Sequence, residues 1–286
     1  MKHRIILVIF SLLILLLVSC SEEHIHEFGE WESVMDAGCL LGGIDRRVCA
    51  CGEVNTRYIE PLGHDVHNGV CHRCILDLKS SQINLERVIF TSRGDGTCAV
   101  TGYREKLDGS LEIPEYSPKG DRVTAISSEA LSYQDITTLV IPASVETIGD
   151  AAFQNCNKLK TLIILGGVRS IGKRAFEGCG KLESIKLPDT LRNIGEIAFG
   201  YCSSLVEITL PDGVERIESN AFIGCRALTR VVISDSIISI TNAFYGCTKL
   251  TKIYYKGTRE QWESVEWSEK VIGDNKPMEI IFNYSK

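Results

Sequence analysis

Twelve cysteines stand in the chain, and their spacing separates them into sets with different chemistry. Five recur in the phrase Ala-Phe-x-x-Cys: Cys156, Cys179, Cys202, Cys225 and Cys247, at intervals of 23, 23, 23 and 22 residues. A disulfide framework, a metal ladder, a reactive set and plain packing are the alternatives. A stacked repeat supplies one ligand per unit in a line, which suits no tetrahedral metal. Five thiols cannot all pair with one another. Cysteine is among the most buried residue types and packs as a small hydrophobe, so packing is the expectation.

The second set is irregular and lies at the front, where Cys39, Cys49, Cys51, Cys71 and Cys74 mix with His24, His26, His64, His67 and His72. Cys49-Ala50-Cys51 and Cys71-His72-Arg73-Cys74 are two close pairs separated by nineteen residues. That is near zinc-ribbon spacing, although ribbons carry two CxxC knuckles and the first pair here is CxC. Structural zinc on Cys49, Cys51, Cys71 and Cys74, with His64 or Cys39 as substitutes, would stabilise a module too small to hold a core. Disulfides, favoured by an oxidising compartment, and loosely packed thiols are the open alternatives. Catalytic zinc has no motif such as HExxH to support it.

The elements that position the thiols repeat with them. Ile148, Ile171, Ile194, Ile217 and Ile240 step by 23, as do Leu139, Leu162, Ile185, Ile208 and Val231. The unit reads L-x-x-I-x-L-P-x-x-V-x-x-I-G-x-x-A-F-x-x-C, best seen from Leu182 onward. One such unit cannot bury its own apolar face, whereas stacked units place each apolar position over its equivalent. The expected fold is therefore a solenoid. Ile185 and Leu187 around Lys186 have the period-2 spacing of a short strand. Gly149, Gly172 and Gly195 suit a tight corner, and the Ala-Phe step suits a turn of helix.

These residues carry a resemblance. LxxIxLP, VxxIG and AFxxC together are similar to the BspA-type leucine-rich repeats of bacterial surface proteins, over roughly residues 95–286. "IYYKGTREQW", with Trp262 and Trp267, resembles the closing cap of that family. Leu165 and Ser234 replace the proline, Glu218 replaces the glycine, and one residue is missing between Ile240 and Phe244. The resemblance implies an α/β, β-rich leucine-rich-repeat solenoid of stacked coils and attachment to host matrix proteins or other cells. "RRVCACGEV" and "LGHDVHNGVCHRC" resemble a small module found beside repeats in bacterial secreted proteins.

Export is written in the first residues. Lys2, His3 and Arg4 precede residues 5–18, an apolar stretch shorter than the ~18 to 20 residues of a spanning helix. Leu17-Val18-Ser19-Cys20 resembles the bacterial lipobox, which implies cleavage before Cys20 and a lipid on its sulfur. Each buried methylene of such a chain contributes ~0.8 kcal/mol to membrane attachment.

The remaining candidates concern recognition. A net charge of -6 without a run of Lys or Arg offers no footprint for nucleic acid. Arg93-Gly94-Asp95 matches the integrin-recognition tripeptide, but Asp95-Gly96 between apolar runs is also a favoured hairpin turn. No nucleophile elbow, Walker loop or dinucleotide fingerprint is present, and the chain reads as a binding protein, not an enzyme. Strand alternation points Val140, Ile163, Lys186, Thr209, Val232 and Tyr254 to solvent as one column, which is the expected binding face. Its apolar members fit a ligand surface or simply the preference of β-branched residues for strands.

The sequence thus predicts a lipoprotein signal peptide at 1–19, a Cys- and His-rich module at 20–78, a solenoid at 79–255 and a cap at 256–286. The expected role is a membrane-anchored, exported surface protein binding a host matrix protein, cell-surface protein or glycan. The alternative is an accessory lipoprotein capturing glycans or a partner protein for uptake, or a zinc-stabilised structural module.

Overall fold

A computed structural model describes residues 84–268 and 278–284, together with the backbone of five short strands nearer the N-terminus. The chain divides into two compact units, Met1–Ile75 and Leu76–Lys286. In the first, β1 (Glu32–Met35), β2 (Gly43–Val48) and β3 (Val54–Ile59) form an antiparallel sheet. β4 (Val66–His67) pairs with β5 (Val70–Cys71) in a second, two-stranded one. Cys20, Cys39, Cys49, Cys51, His64 and Cys74 lie outside the described residues, so the lipid and zinc expectations have no geometry to meet.

The second unit is a solenoid with two long parallel sheets. The first runs through β8 (Asp108–Glu112), β10 (Asp135–Ile141), β12 (Thr161–Ile164), β14 (Ser184–Lys186), β16 (Glu207–Thr209), β18 (Arg230–Ile233), β20 (Lys252–Tyr255) and β22 (Glu279–Ile281). The second interleaves with it in sequence: β9 (Arg122–Ile126), β11 (Thr147–Ile148), β13 (Ser170–Ile171), β15 (Asn193–Ile194), β17 (Arg216–Ile217), β19 (Ser239–Ile240) and β21 (Glu266–Trp267). Its N-terminal end is an antiparallel hairpin of β6 (Val88–Ser92) and β7 (Thr97–Tyr103).

Register places like over like, as the repeat demands. Ile148, Ile171, Ile194, Ile217 and Ile240 are successive partners across the short strands. Leu139 faces Leu162, Leu162 faces Ile185, and Ile208 faces Val231 across the longer ones. Five phenylalanines, Phe153 to Phe244, stack with ring centroids 5.2, 5.3, 5.5 and 5.6 Å apart. The last pair tilts by 13°, against 2° to 7° before it, at the step where the repeat is one residue short. Each ring is fully buried, which stabilises the fold by about 1.5–3 kcal/mol per side chain.

The corner carrying Ala-Phe is a third ladder of turns and not the expected helical turn. Alternate amides bond locally and to the next coil: Ala152 N–H donates to Gly149 O, and Phe153 N–H donates to Ala175 O at 2.8 Å. The same alternation recurs at Phe176, Phe199 and Phe222. The corner glycines have a different reason from the one anticipated. None of Gly149, Gly172 and Gly195 sits in the left-handed region. Instead a Cβ on Gly172 would meet Gly149 C at 2.6 Å, and one on Gly195 would meet Lys173 N at 2.6 Å. The preceding coil's backbone leaves no room for a side chain.

At the C-terminal end aromatic rings close over the core. The short helix Arg259–Glu263 begins with a capping box, in which Thr258 Oγ1 accepts from Gln261 N–H and Gln261 Oε1 accepts from Thr258 N–H. This fixes Trp262 with its ring 4.9 Å from Tyr255 and 4.7 Å from Trp267, while Phe282 meets Tyr255 edge-on. An otherwise open end of a stacked fold is thereby kept from water.

Candidate functional site

The thiol ladder is buried and free. Cys156, Cys179, Cys202, Cys225 and Cys247 are all without a disulfide, as is Cys98 in the hairpin. Each ladder sulfur donates to a main-chain carbonyl of the preceding coil: Cys156 to Leu131 O, then Cys179, Cys202, Cys225 and Cys247 to Phe153, Phe176, Phe199 and Phe222 O at 3.2 to 3.4 Å. Those Phe carbonyls also accept the N–H of the Cys in their own coil, so the thiol engages a second lone pair. Burial pushes the Cys156 and Cys202 thiols up to about 12 and that of Cys179 well above its ordinary value. The Cys247 thiol, and then burial, do the same to Cys225. Neutral, buried thiols are neither nucleophiles nor metal ligands at physiological pH. Among the described residues no group of three or more His, Cys, Asp or Glu could hold a metal ion.

The Arg93-Gly94-Asp95 tripeptide is the exposed tip of the β6–β7 hairpin. Asp95 Oδ1 accepts from Thr97 Oγ1 at 2.6 Å and from Thr97 N–H at 2.9 Å, which lowers its pKa. Arg93 Nη1 donates to Thr124 Oγ1 at 2.9 Å. Both charged ends of the tripeptide are therefore engaged within the hairpin and its neighbour strand.

The outer column of the eight-stranded sheet is in register as predicted at Val140, Ile163 and Lys186, and again at Thr209, Val232 and Tyr254. Its exposure differs from the expectation at two members. Val140 and Val232 are buried, at 1% and 2% exposure. Near Val140 the segment bearing Asn84 lies against β8, the Asn84 carboxamide donating to Ser110 O at 2.8 Å, and Ser110 and Thr138 are buried with it. Near Val232 the tail folds over the sheet: Tyr284 meets the Tyr254 ring at 5.0 Å, and the Arg230 guanidinium lies over both rings. Strand alternation alone could not reveal these covers, because each comes from a segment outside the repeat.

What remains open is a window over β12, β14 and β16, with Ile163 and Leu165 half-buried and Lys186 and Thr209 exposed. The pairing of β14 with β16 is confined to Ser184↔Glu207, and past that pair the surface dips. A depression of about 290 Å³ lies there between Lys186 and Thr209, floored by Leu187 and Leu210 and reaching Asp212 and Lys256. A second of about 570 Å³, lined by Leu162, Ile163, Leu165, Leu187 and Pro188, adjoins Lys186 on its other side. Leu165 and Gly166, which break the Leu-Pro pattern, help form it. The other cations of this face are neutralised locally: Arg230 by Glu207 at 3.6 Å, Lys252 by Glu279 at 3.0 Å and Lys256 by Asp212 at 2.5 Å. Glu279 also raises the pKa of Lys252. Lys186 has no such acid among the described residues.

Comparison with known proteins agrees with this architecture. Residues 124–262 match the BspA type leucine rich repeat region in six copies. The repeats of the solenoid are thus similar to BspA-type leucine-rich repeats over just under half of the chain. A T. pallidum leucine-rich repeat protein, TpLRR, is 27% identical with a TM-score of 0.55, the match covering 59% of this chain and 83% of that one. A leucine-rich repeat protein from Bacteroides ovatus is 36% identical with a TM-score of 0.54, over 59% of this chain and 45% of that one. No curated protein matches the chain.

Proposed function

We propose that this chain is an exported, lipid-anchored surface protein whose leucine-rich repeats bind a macromolecular ligand, in adhesion to host matrix proteins or other cells. The signal at 1–19 directs export and Cys20 carries the lipid. The module at 20–78 is then a spacer, and the solenoid presents the ligand face. The carrying observation is the open window on the eight-stranded sheet: Lys186, with no acid paired to it among the described residues, lies between two depressions, where strand pairing gives out and the repeat's Leu-Pro rule is broken. A sheet buried under other segments at both ends but left open at its centre has a defined site for an occupant.

The experiment uses the full chain against immobilised fibronectin, fibrinogen, laminin and collagen, with Lys186→Glu and Thr209→Trp as face variants. The expected result is retention of the wild type on at least one of these, weakened about tenfold or more by either variant, as for a central contact of an interface. Unfolding midpoints should stay within about 0.5 kcal/mol of wild type. Retention undiminished in both variants removes the face from the proposal. For the anchor, Cys20→Ala is expected to move the protein from the membrane fraction to the soluble one.

A further inference from the structure

A different surface carries a second recognition device, independent of the sheet face. In five successive coils the residue before the thiol position donates its N–H to the next coil: Tyr133 to Gln154 O, Asn155 to Glu177 O, Gly178 to Gly200 O, Tyr201 to Ile223 O and Gly224 to Tyr245 O, at 2.6 to 2.8 Å. The residue lies at positive φ, between +57° and +75° for these five and at +76° for Gly246, which continues the column. Asn and Gly are the residues that tolerate that region. Asn155, Gly178 and Gly224 obey the rule, and Tyr133 and Tyr201 break it at φ +58° and +59°. Both offending side chains face water, 61% and 50% exposed. Positive φ recurs at a second position of the coils, at Glu129, Ala151, Arg174 and Ile197, and belongs to the stacked turn; what sets Tyr133 and Tyr201 apart is a large ring held in water where the column otherwise has small residues.

The surroundings complete the site. The Tyr201 ring rests on Gly224, where a Cβ would come within 2.8 Å of Cδ1, so the ring is seated on one side and half exposed. Tyr133 and Tyr201 are three coils apart, about 15 Å at the spacing of paired strands. Between them the column holds only Asn155 and Gly178. The Asn155 carboxamide lies against Gly178, its Oδ1 2.3 Å from where a Cβ there would sit, and it makes no hydrogen bond to a protein group among the described residues. Beside it Gln154 Nε2 donates to Glu177 Oε2 at 2.6 Å. The column contains no Lys or Arg.

We propose that this ledge binds a neutral glycan chain, with a sugar ring stacked on Tyr133, another on Tyr201, and hydroxyls of the sugars between them on Asn155. The negative face of an aromatic ring attracts the C–H-rich face of a pyranose, and a carboxamide donates and accepts at once, as paired hydroxyls require. An acidic polymer would need cations that the column lacks, and an aliphatic peptide would need a pocket.

The test immobilises hexasaccharides of glucose, mannose and N-acetylglucosamine and passes the full chain over them as wild type, Tyr133→Asn, Tyr201→Asn, the double variant and Tyr201→Phe. The expected result is retention on at least one sugar, weakened about tenfold by each Asn variant, abolished by both, and kept by Tyr201→Phe. The melting temperature of the Asn variants should hold or rise, because Asn accepts the backbone conformation that Tyr resists. Lys186→Glu should leave sugar binding unchanged, which separates this site from the sheet face. No retention of the wild type on any sugar overturns the proposal. So does retention of the double variant at wild-type strength, or loss of binding only in step with a fall in melting temperature.

Discussion

The inner corner of the solenoid and its outer sheet face obey opposite rules. At the corner every position meets its own copy in the next coil, so Ala, Phe and Cys recur without exception over five coils and the rings stack at 5.2 to 5.6 Å. On the outer face the register is as strict, yet the column reads Val, Ile, Lys, Thr, Val, Tyr. Stacking constrains what is buried, because a misfit repeats its cost against two neighbours. It leaves solvent-facing positions free to vary. The lesson is that in a repeat fold the regular residues report stability, and the departures from regularity are where recognition is to be sought.

Truncating the corner should expose its structural role most strongly. Phe199→Ala removes a ring stacked on both sides and is expected to cost about 3–5 kcal/mol, read as a shift of the denaturant midpoint. Crowding the same corner is the next largest effect. Gly195→Ala sets a methyl against the backbone of Lys173 and should cost about 1–3 kcal/mol. If either change were silent, the like-over-like packing described here would not be what holds the coils.

Cys202→Ala should cost about 1–2 kcal/mol, the thiol's volume plus its bond to Phe176 O, and leave ligand binding intact. It also carries a pH signature. The folded thiol titrates at about 12, above its ordinary 9.0, so its contribution is full below pH 9 and lost as pH rises toward 12. Denaturant midpoints measured at pH 7, 9 and 10.5 should fall over the alkaline steps, and less so in the variant. The smallest expected effect is a gain. Ile197, a β-branched residue at φ +58°, occupies the place held by Asn220 and Asn242 in later coils. Ile197→Asn should stabilise by a few tenths to about 1 kcal/mol, seen as a higher melting temperature.

How far the sequence could be read follows the same division. The period of 23 in Ile148 to Ile240 was enough to place strands, register and buried thiols, because repetition and burial are one constraint in a stack. Val140 and Val232 were misplaced because their covers, near Asn84 and at Tyr284, belong to no repeat. The reason for Gly172 lay in the distance to the coil before it, which no pattern of residue types encodes. Tyr133 and Tyr201 left a trace that periodicity could have supplied: aligned with Asn155, Gly178 and Gly224, they are the two bulky residues in a column of small ones. A search for conserved-looking motifs passes over them, since their information lies in breaking the pattern.

The central claim, that the regular thiols are packing and the irregular surface is the working part, is tested most directly by alkylating the native protein with iodoacetamide at pH 8 and mapping the label by peptide mass spectrometry. Burial of all five thiols, with the raised pKa values of Cys156, Cys179, Cys202 and Cys225, predicts no label on these four or on Cys247 until denaturant unfolds the solenoid, when all five react together. Rapid labelling of any of the five in the folded protein would contradict the account.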